Sequence, residues 1–246
     1  MVRIINPFLE QEVAATGWTP AVNGKNPIHA WVPTRSGTAE DSVGSNDGTL
    51  TNGASIITDT GAGGAEAFSL DGSNDYVDTP PITFGSASWS FWIYHTGANA
   101  LSDAWSNRVL GAAGTQPGFV FGANGTGNNW WFYVDKGGAS LIGRSTGTRT
   151  SIIPNNTWTH VGMAYDTSTG QIAAYINGTN ITASLTPSGA PFTGGFSSAQ
   201  NVLIGARPTA SGRNLSGRCD DFRIWDQVLD DTDMADLYAA QRGGQA

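Results

Sequence analysis

From Ala30 onward the chain is cut into short apolar runs, each closed by Gly, Asn, Asp or a polar turn. They read AFSL (67–70), YVDT (76–79), SWSFWIYH (88–95), RVLGA (108–112), GFVFGA (118–123), NWWFYVD (129–135), WTHVGMAY (158–165), QIAAYI (171–176), NVLIGA (201–206) and CDDFRIWD (219–226). Runs this short, with turns this frequent, predict antiparallel strands stacked as a sandwich or closed as a barrel. The composition agrees. Only 13% of residues are charged and Gly numbers 33, which suits strands joined by polar turns better than helices. With 39% apolar residues in 246, one sizeable core can form.

The stretch TWTHVGMAYDTSTGQIAAYINGTNIT (157–182) shows the pattern best. Alternation sets Val161, Met163 and Tyr165 on one face and His160, Gly162 and Ala164 on the other. After the loop DTSTG, Ile172, Ala174 and Ile176 share a face, and Asn177-Gly178 supplies the positive φ of a tight turn. His160 is expected to pack or hydrogen-bond within its strand. One helix is predicted, in VLDDTDMADLYAAQ (228–241). Asp230 caps it, Asp231 and Asp233 favour the positive end of its dipole, and Met234, Leu237 and Tyr238 share a face.

Residues 1–28 read differently. Pro7, Pro20 and Pro27 with Gly17 and Gly24 break any regular element, so this stretch is expected to be an irregular arm, mobile or docked on a neighbouring subunit. The folded domain is then 29–246. The opening MVRIINPFLEQEV lacks the apolar core of a signal peptide, and no window is apolar enough to span a membrane. A net charge of −8 with two lysines, Lys25 and Lys136, argues against nucleic acid as a partner. Cys219 is the single cysteine, so no intrachain disulfide can form, and Asp220 and Asp221 beside it disfavour a thiolate.

WTHVGMAYDTSTGQIAAYINGTNI resembles the central hairpin of the laminin-G-like, concanavalin A-like jelly rolls. FSLDGSNDYVDTP (68–80) with SASWSFWIYHTG (86–97) is similar to the entry strands of that family. GRCDDFRIWDQVLDDTDMADLY (217–238) is similar to its closing strand and small helix, and Trp225 to Leu229 carries the ending seen in pentraxins. The resemblance implies an all-β, two-sheet antiparallel jelly-roll sandwich with a short C-terminal helix. In that family Trp89, Trp92, Trp158 and Trp225 correspond to core positions.

The same superfamily holds glycoside hydrolases and lectins. Retaining hydrolysis needs two carboxyls about 5–5.5 Å apart, and the glucanase strand Glu-x-Asp-x-x-Glu is absent. The four glutamates are Glu10, Glu12, Glu40 and Glu66, none of them in such a pattern, and His29, His95 and His160 lack metal spacing. No catalytic activity is expected.

Two kinds of binding site are. Asp71 and Asp75, in LDGSNDY, sit in a Gly-containing turn that offers carboxylates and carbonyls to a calcium ion. The resemblance implies that Asp220 on the closing strand runs near that turn, which makes Asp71, Asp75 and Asp220 a candidate structural calcium site; Asx-turn chemistry explains the first two equally well. The pentraxin ligand loop corresponds here to GARPTASGRN (205–214), which carries no acid. For a carbohydrate, the flat faces of exposed aromatics are what count. In NWWFYVD one set, Trp130, Phe132 and Val134, opposes another, Trp131 and Tyr133; one must be core and the other can line a concave face. Trp131 and Tyr133, with Trp105 from the polar stretch SDAWSNR and Arg144 from GRSTG, are the candidate ligand-binding residues. The leading expectation is a non-catalytic glycan-binding or adhesion module at a cell or virion surface, possible calcium included. The alternative is a structural decoration protein of a larger assembly such as a phage capsid or tail, docked through residues 1–28.

Overall fold

A computed structural model describes residues 21–33, 37–59, 66–98, 102–108, 117–124, 128–208 and 212–242. In chain order the first strands are β1 (His29–Trp31), β2 (Thr49–Thr51), β3 (Ser55–Thr58), β4 (Glu66–Asp71), β5 (Tyr76–Thr79), β6 (Thr83–Phe84), β7 (Ala87–His95), β8 (Ser102–Ser106) and β9 (Gly118–Asn124). There follow β10 (Asn129–Asp135), β11 (Ser140–Ser145), a single helical turn α1 (Arg149–Ile152), β12 (Trp158–Asp166), β13 (Gln171–Ile176) and β14 (Thr179–Asn180). The chain closes with β15 (Leu185–Gly189), β16 (Phe196–Ser197), β17 (Val202–Ile204), β18 (Ser216–Trp225) and helix α2 (Asp231–Arg242).

The strands form two large antiparallel sheets. The first runs β14-β13-β12-β7-β18-β4-β3, with β1 also paired to β18; the second runs β15-β11-β10-β9-β8-β17-β5-β2. Strands β6 and β16 make a small separate pair. This is the predicted jelly-roll sandwich, and its core is the space between the sheets.

Alternation fills that space as the patterns require. Trp89, Phe91 and Ile93 of β7, Val161, Met163 and Tyr165 of β12, and Phe222 and Ile224 of β18 point inward from the first sheet. Phe119 and Phe121 of β9 and Trp130, Phe132 and Val134 of β10 meet them from the second. Phe91 stacks on Phe222 at 4.6 Å between centroids, and Phe121 on Trp130 at 5.0 Å. Contacts of this kind contribute about 0.5–1.5 kcal/mol each beyond the area they bury.

The hairpin of 157–182 forms as read. Asn177 and Gly178 have φ of 49° and 73°, the geometry of a two-residue turn whose twist matches the flanking strands. The Asn177 side chain accepts the His160 N–H at 3.0 Å.

Helix α2 covers the outer face of the first sheet. Asp230 Oδ1 accepts the N–H groups of Thr232 and Asp233, and Asp233 Oδ2 accepts the Asp230 N–H in return, a reciprocal cap with Asp at the third position. Met234 and Leu237 are buried against Tyr175, Trp225 and Leu229. The approach is close enough that a Cβ on Gly162 would stand 2.8 Å from Met234 Sδ. His160 is buried beneath this helix, bonded to Ser90 Oγ at 2.7 Å, and burial pushes its pKa down to about 3.

Three expectations need correction here. Residues 21–28 are not part of a free arm. Val22 packs into the α2 cluster, Lys25 pairs with Asp233, Asn23 donates to Asp233 and Asp236, and the Lys25 carbonyl accepts the Trp225 indole N–H. The remainder of the expected arm, residues 1–20, lies outside the described residues. Trp92 and Trp225 are buried, but under α2 rather than between the sheets; Trp92 stacks on Tyr238. Trp158 is half-buried on the same outer face, its register opposite Tyr94, and its indole N–H reaches Asp59.

Candidate functional site

Opposite α2, the second sheet turns its other face outward. In β10 the set Trp130, Phe132 and Val134 is core, so Trp131, Tyr133 and Asp135 face out. Register fixes what stands beside them. Trp131 lies between Arg144 of β11 and Gly122 of β9, and Gly122 in turn faces Asp103 of β8. The next row crosses Ile142, Tyr133, Val120 and Ser106.

Trp131 and Arg144 are half-buried, and the Arg144 guanidinium carbon sits 5.6 Å from the Trp131 ring centroid. That places a cation over an aromatic face with part of both groups open to solvent. Trp131 also packs on a small apolar patch of Val120, Tyr133 and Ile142.

Around this pair lies a buried ionic frame. Arg207 Nη2 donates to Asp103 Oδ1 at 3.0 Å, and its Nε stands 2.8 Å from Oδ2 as an ion pair without hydrogen-bond alignment. Arg213 adds Nη1 at 3.6 Å from Oδ1, held there because the Asp103 N–H donates to the Arg213 carbonyl. Burial pushes the Asp103 carboxyl up, while Arg207, Arg213 and Arg108 pull it back. Its position depends on Gly122, since a Cβ there would collide with Asp103 Oδ1. A second knot joins Arg108 Nε to Asp135 Oδ2 at 3.2 Å, with the Tyr133 hydroxyl donating to the same oxygen at 3.0 Å. Arg108 also lies 4.7 Å over the Tyr133 ring, and burial raises the Tyr133 pKa. Four guanidinium groups therefore stand against two carboxylates at this end of the face, in a chain whose net charge is −8.

Of the four expected ligand-binding residues, the fold brings together Trp131 and Arg144. Tyr133 shares their face but is 3% exposed and is occupied by Arg108 and Asp135. Trp105 is not in a polar loop. It belongs to β8, is 1% exposed and packs 4.1 Å from Phe119, because a bulge between Asp103 and Trp105 turns the ring inward. Asp103, Arg207 and Arg213 were not anticipated. Asp103 and Arg207 are 104 residues apart, and no local pattern links them; the only cue was a basic closing loop without acids.

The expected calcium ligands do not form one site. Asp71 accepts the Ser73 N–H, and Asp75 accepts those of Gly53 and Asp71, which is turn chemistry. Ser216 is the β18 residue facing Asp71, so Asp220 lies four residues further on, about 13 Å along the strand. Asp220 is 2% exposed, and burial followed by the charge of Asp221 pushes its pKa well above the usual carboxylate range. Among the described residues no three of His, Cys, Asp and Glu cluster as a metal site.

Asp103 and Asp135 are carboxylates on one sheet face, as in a hydrolase, but two strands and four residues separate them, about 16 Å. Paired glycosidase carboxyls stand no more than about 9.5 Å apart.

Two facing antiparallel sheets, a terminal helix on the outer face of one and the half-buried Trp131–Arg144 pair on the otherwise largely buried outer face of the other define a lectin-like jelly roll. A family model described as the concanavalin A-like lectin/glucanases superfamily matches residues 71–235, and the chain belongs to that superfamily. Among solved structures, the binding domain of Paraclostridial Mosquitocidal Protein 1 superposes with a TM-score of 0.66 at 16% identity, covering 87% of this chain and 52% of that one. Domain 4 of AbnA, an extracellular arabinanase from Geobacillus stearothermophilus solved with arabinotriose, gives 0.60 at 19% identity, covering 87% and 98%. The ligand binding domain of botulinum neurotoxin serotype D, solved with N-acetylneuraminic acid, gives 0.61 at 16% identity, covering 87% and 51%. The chain thus spans about half of the two toxin domains, both of them binding domains, and nearly all of the arabinanase domain. No curated protein sequence matches.

Proposed function

We propose that this domain is a non-catalytic glycan-binding module whose recognition surface is the outer face of the second sheet, centred on Trp131. The observation that carries the reading is the half-open Trp131 ring beside the Arg144 guanidinium. An indole face takes the C–H surface of a sugar ring, and a guanidinium fork donates to its hydroxyl, ring or carboxylate oxygens. The Asp103–Arg207–Arg213 and Arg108–Asp135–Tyr133 knots hold the neighbouring backbone and leave little to reorganise on binding. Support also comes from the sugars named with two similar folds, arabinotriose and N-acetylneuraminic acid. The test is a glycan array probed with the wild-type chain and with Trp131→Ala. Selective binding that disappears in the variant, with melting little changed, supports the reading; binding that is absent, or that survives the substitution, defeats it.

A further inference from the structure

The outer face of the second sheet has a second polar station. Register carries the row of Tyr133 on through Val120, Ser106 and Leu203 to Asp78 and Thr49, so Asp78 stands four strands from Tyr133, about 19 Å away. There a cleft of about 270 Å³ is lined by Asp47, Thr49, Asp78, Pro80, Pro81 and Asn201, among others.

The polar groups in this cleft are half used. Asn201 Nδ2 donates to Asp78 Oδ1 at 2.7 Å, and Asp47 Oδ1 accepts the Asp41 N–H at 3.0 Å. Among the described residues, Asp47 Oδ2, Asp78 Oδ2, the Asn201 amide oxygen and the Thr49 hydroxyl have no protein partner and face solvent, Asp47, Thr49 and Asn201 being exposed and Asp78 half-buried. These are acceptors in excess of donors, the complement of a ligand rich in hydroxyls.

The cleft is also held in shape. The loop bearing Asp47 is tied by the buried Asp41 carboxylate, which accepts the N–H groups of Ala30, Gly44 and Asn46 and meets His29 Nδ1 at 2.6 Å. Asp78 is oriented by Asn201, and the two prolines present rigid apolar surface. Few polar groups converging beside an apolar wall in a pre-formed concavity are what small-ligand sites have in common.

We propose that this cleft is a second saccharide site, taking one neutral sugar unit. Two of its hydroxyls donate to Asp47 and Asp78, and its C–H face rests on Pro80 and Pro81. A divalent cation is the poorer match, since calcium takes six to eight oxygens and no third acid joins these two among the described residues. Uronic and sialic acids are repelled by the same carboxylates. The site differs in kind from the arginine-rich Trp131 station and does not depend on it.

The experiment titrates isotope-labelled full chain with glucose, galactose, arabinose, glucuronate and calcium chloride in separate series, following the amide NMR spectrum. A neutral sugar is expected to shift the Asn201 side-chain amide and the Thr49 backbone amide, and glucuronate to leave them in place. Asp47→Ala and Asp78→Ala, each shown by melting to be folded, should weaken that sugar by roughly tenfold or more, the effect of losing a hydrogen bond to a charged acceptor. Asn201→Ala should weaken it less, and Trp131→Ala not at all. The proposal is overturned if none of the neutral sugars moves these amides, if calcium chloride moves them and sugars do not, or if the shifts survive both aspartate substitutions. Loss of array binding in Trp131→Ala bears only on the other station, so the two readings fail separately.

Discussion

Arg144 lies over the ring of Trp131 because the two are directly opposed across β11 and β10. Neither side chain is needed for the core, which the opposite face of β10 supplies. Trp131→Ala and Arg144→Ala should therefore leave a folded protein and remove binding. We expect Trp131→Ala to weaken a bound glycan by at least about tenfold, or 1.4 kcal/mol. Parallel measurement of melting and of affinity for any array hit checks this.

Trp105→Ala should behave in the opposite way. Its ring is wedged among Trp89, Phe91, Phe119 and Phe222, and removal of such a core aromatic costs about 3–5 kcal/mol. Denaturant melts would show a large loss of stability. A variant as stable as the wild type would contradict the packing.

Gly122→Ala tests the ionic frame. The added methyl would push the Asp103 carboxylate away from Arg207, and overpacking of this kind costs about 1–3 kcal/mol. Asp103→Ala in the same background should add much less than it costs alone, since the two substitutions break one arrangement.

Asp220 and His160 give stability opposing dependences on pH. Asp220 has a raised pKa in the folded chain, so its protonated form is kept while the unfolded chain ionises near pH 3.9. Its contribution is therefore intact below that value and falls as pH rises, by up to about 1.4 kcal/mol per pH unit. His160, with its folded pKa lowered to about 3, works in reverse, since stability is lost as pH falls from about 6.5 toward 3. Between about pH 4 and 6.5 the two slopes oppose each other. Asp220→Asn should steepen the rise of stability with pH in that window, and His160→Gln should turn it toward a fall. Urea melts across the window read both directions.

Asp75→Ala should destabilise the turn to the same extent with calcium and with chelator, because its oxygens hold the N–H groups of Gly53 and Asp71. A loss seen only in calcium would restore a metal role to this turn.

Much of this was legible along the chain. The alternation in WTHVGMAY and QIAAYI, the Asn177-Gly178 turn and the Asp230 cap each act over a few residues, and each formed as its local chemistry requires. NWWFYVD is the limiting case. Its alternation separates Trp130, Phe132 and Val134 from Trp131 and Tyr133 with certainty, but both sets are aromatic, and nothing in the segment says which faces the core. Trp105 fails for a related reason. SDAWSNR reads as a polar loop because the bulge that turns Trp105 inward depends on pairing with Phe121 of β9 and Ile204 of β17.

The sequence by itself determined the class of fold, most of the longer strands with their turns, the capped terminal helix and the two faces of each strand it revealed, because backbone sterics and a two-residue period are local properties; β8, read as a polar loop, was not among them. Only the tertiary structure decided which face is buried, that Asp103 is gripped by Arg207 and Arg213, that Asp71, Asp75 and Asp220 stay apart, and that Asp47 and Asp78 share a cleft. Those outcomes depend on strand order and register between segments far apart in the chain, and the free energy that selects them is the burial of a shared core.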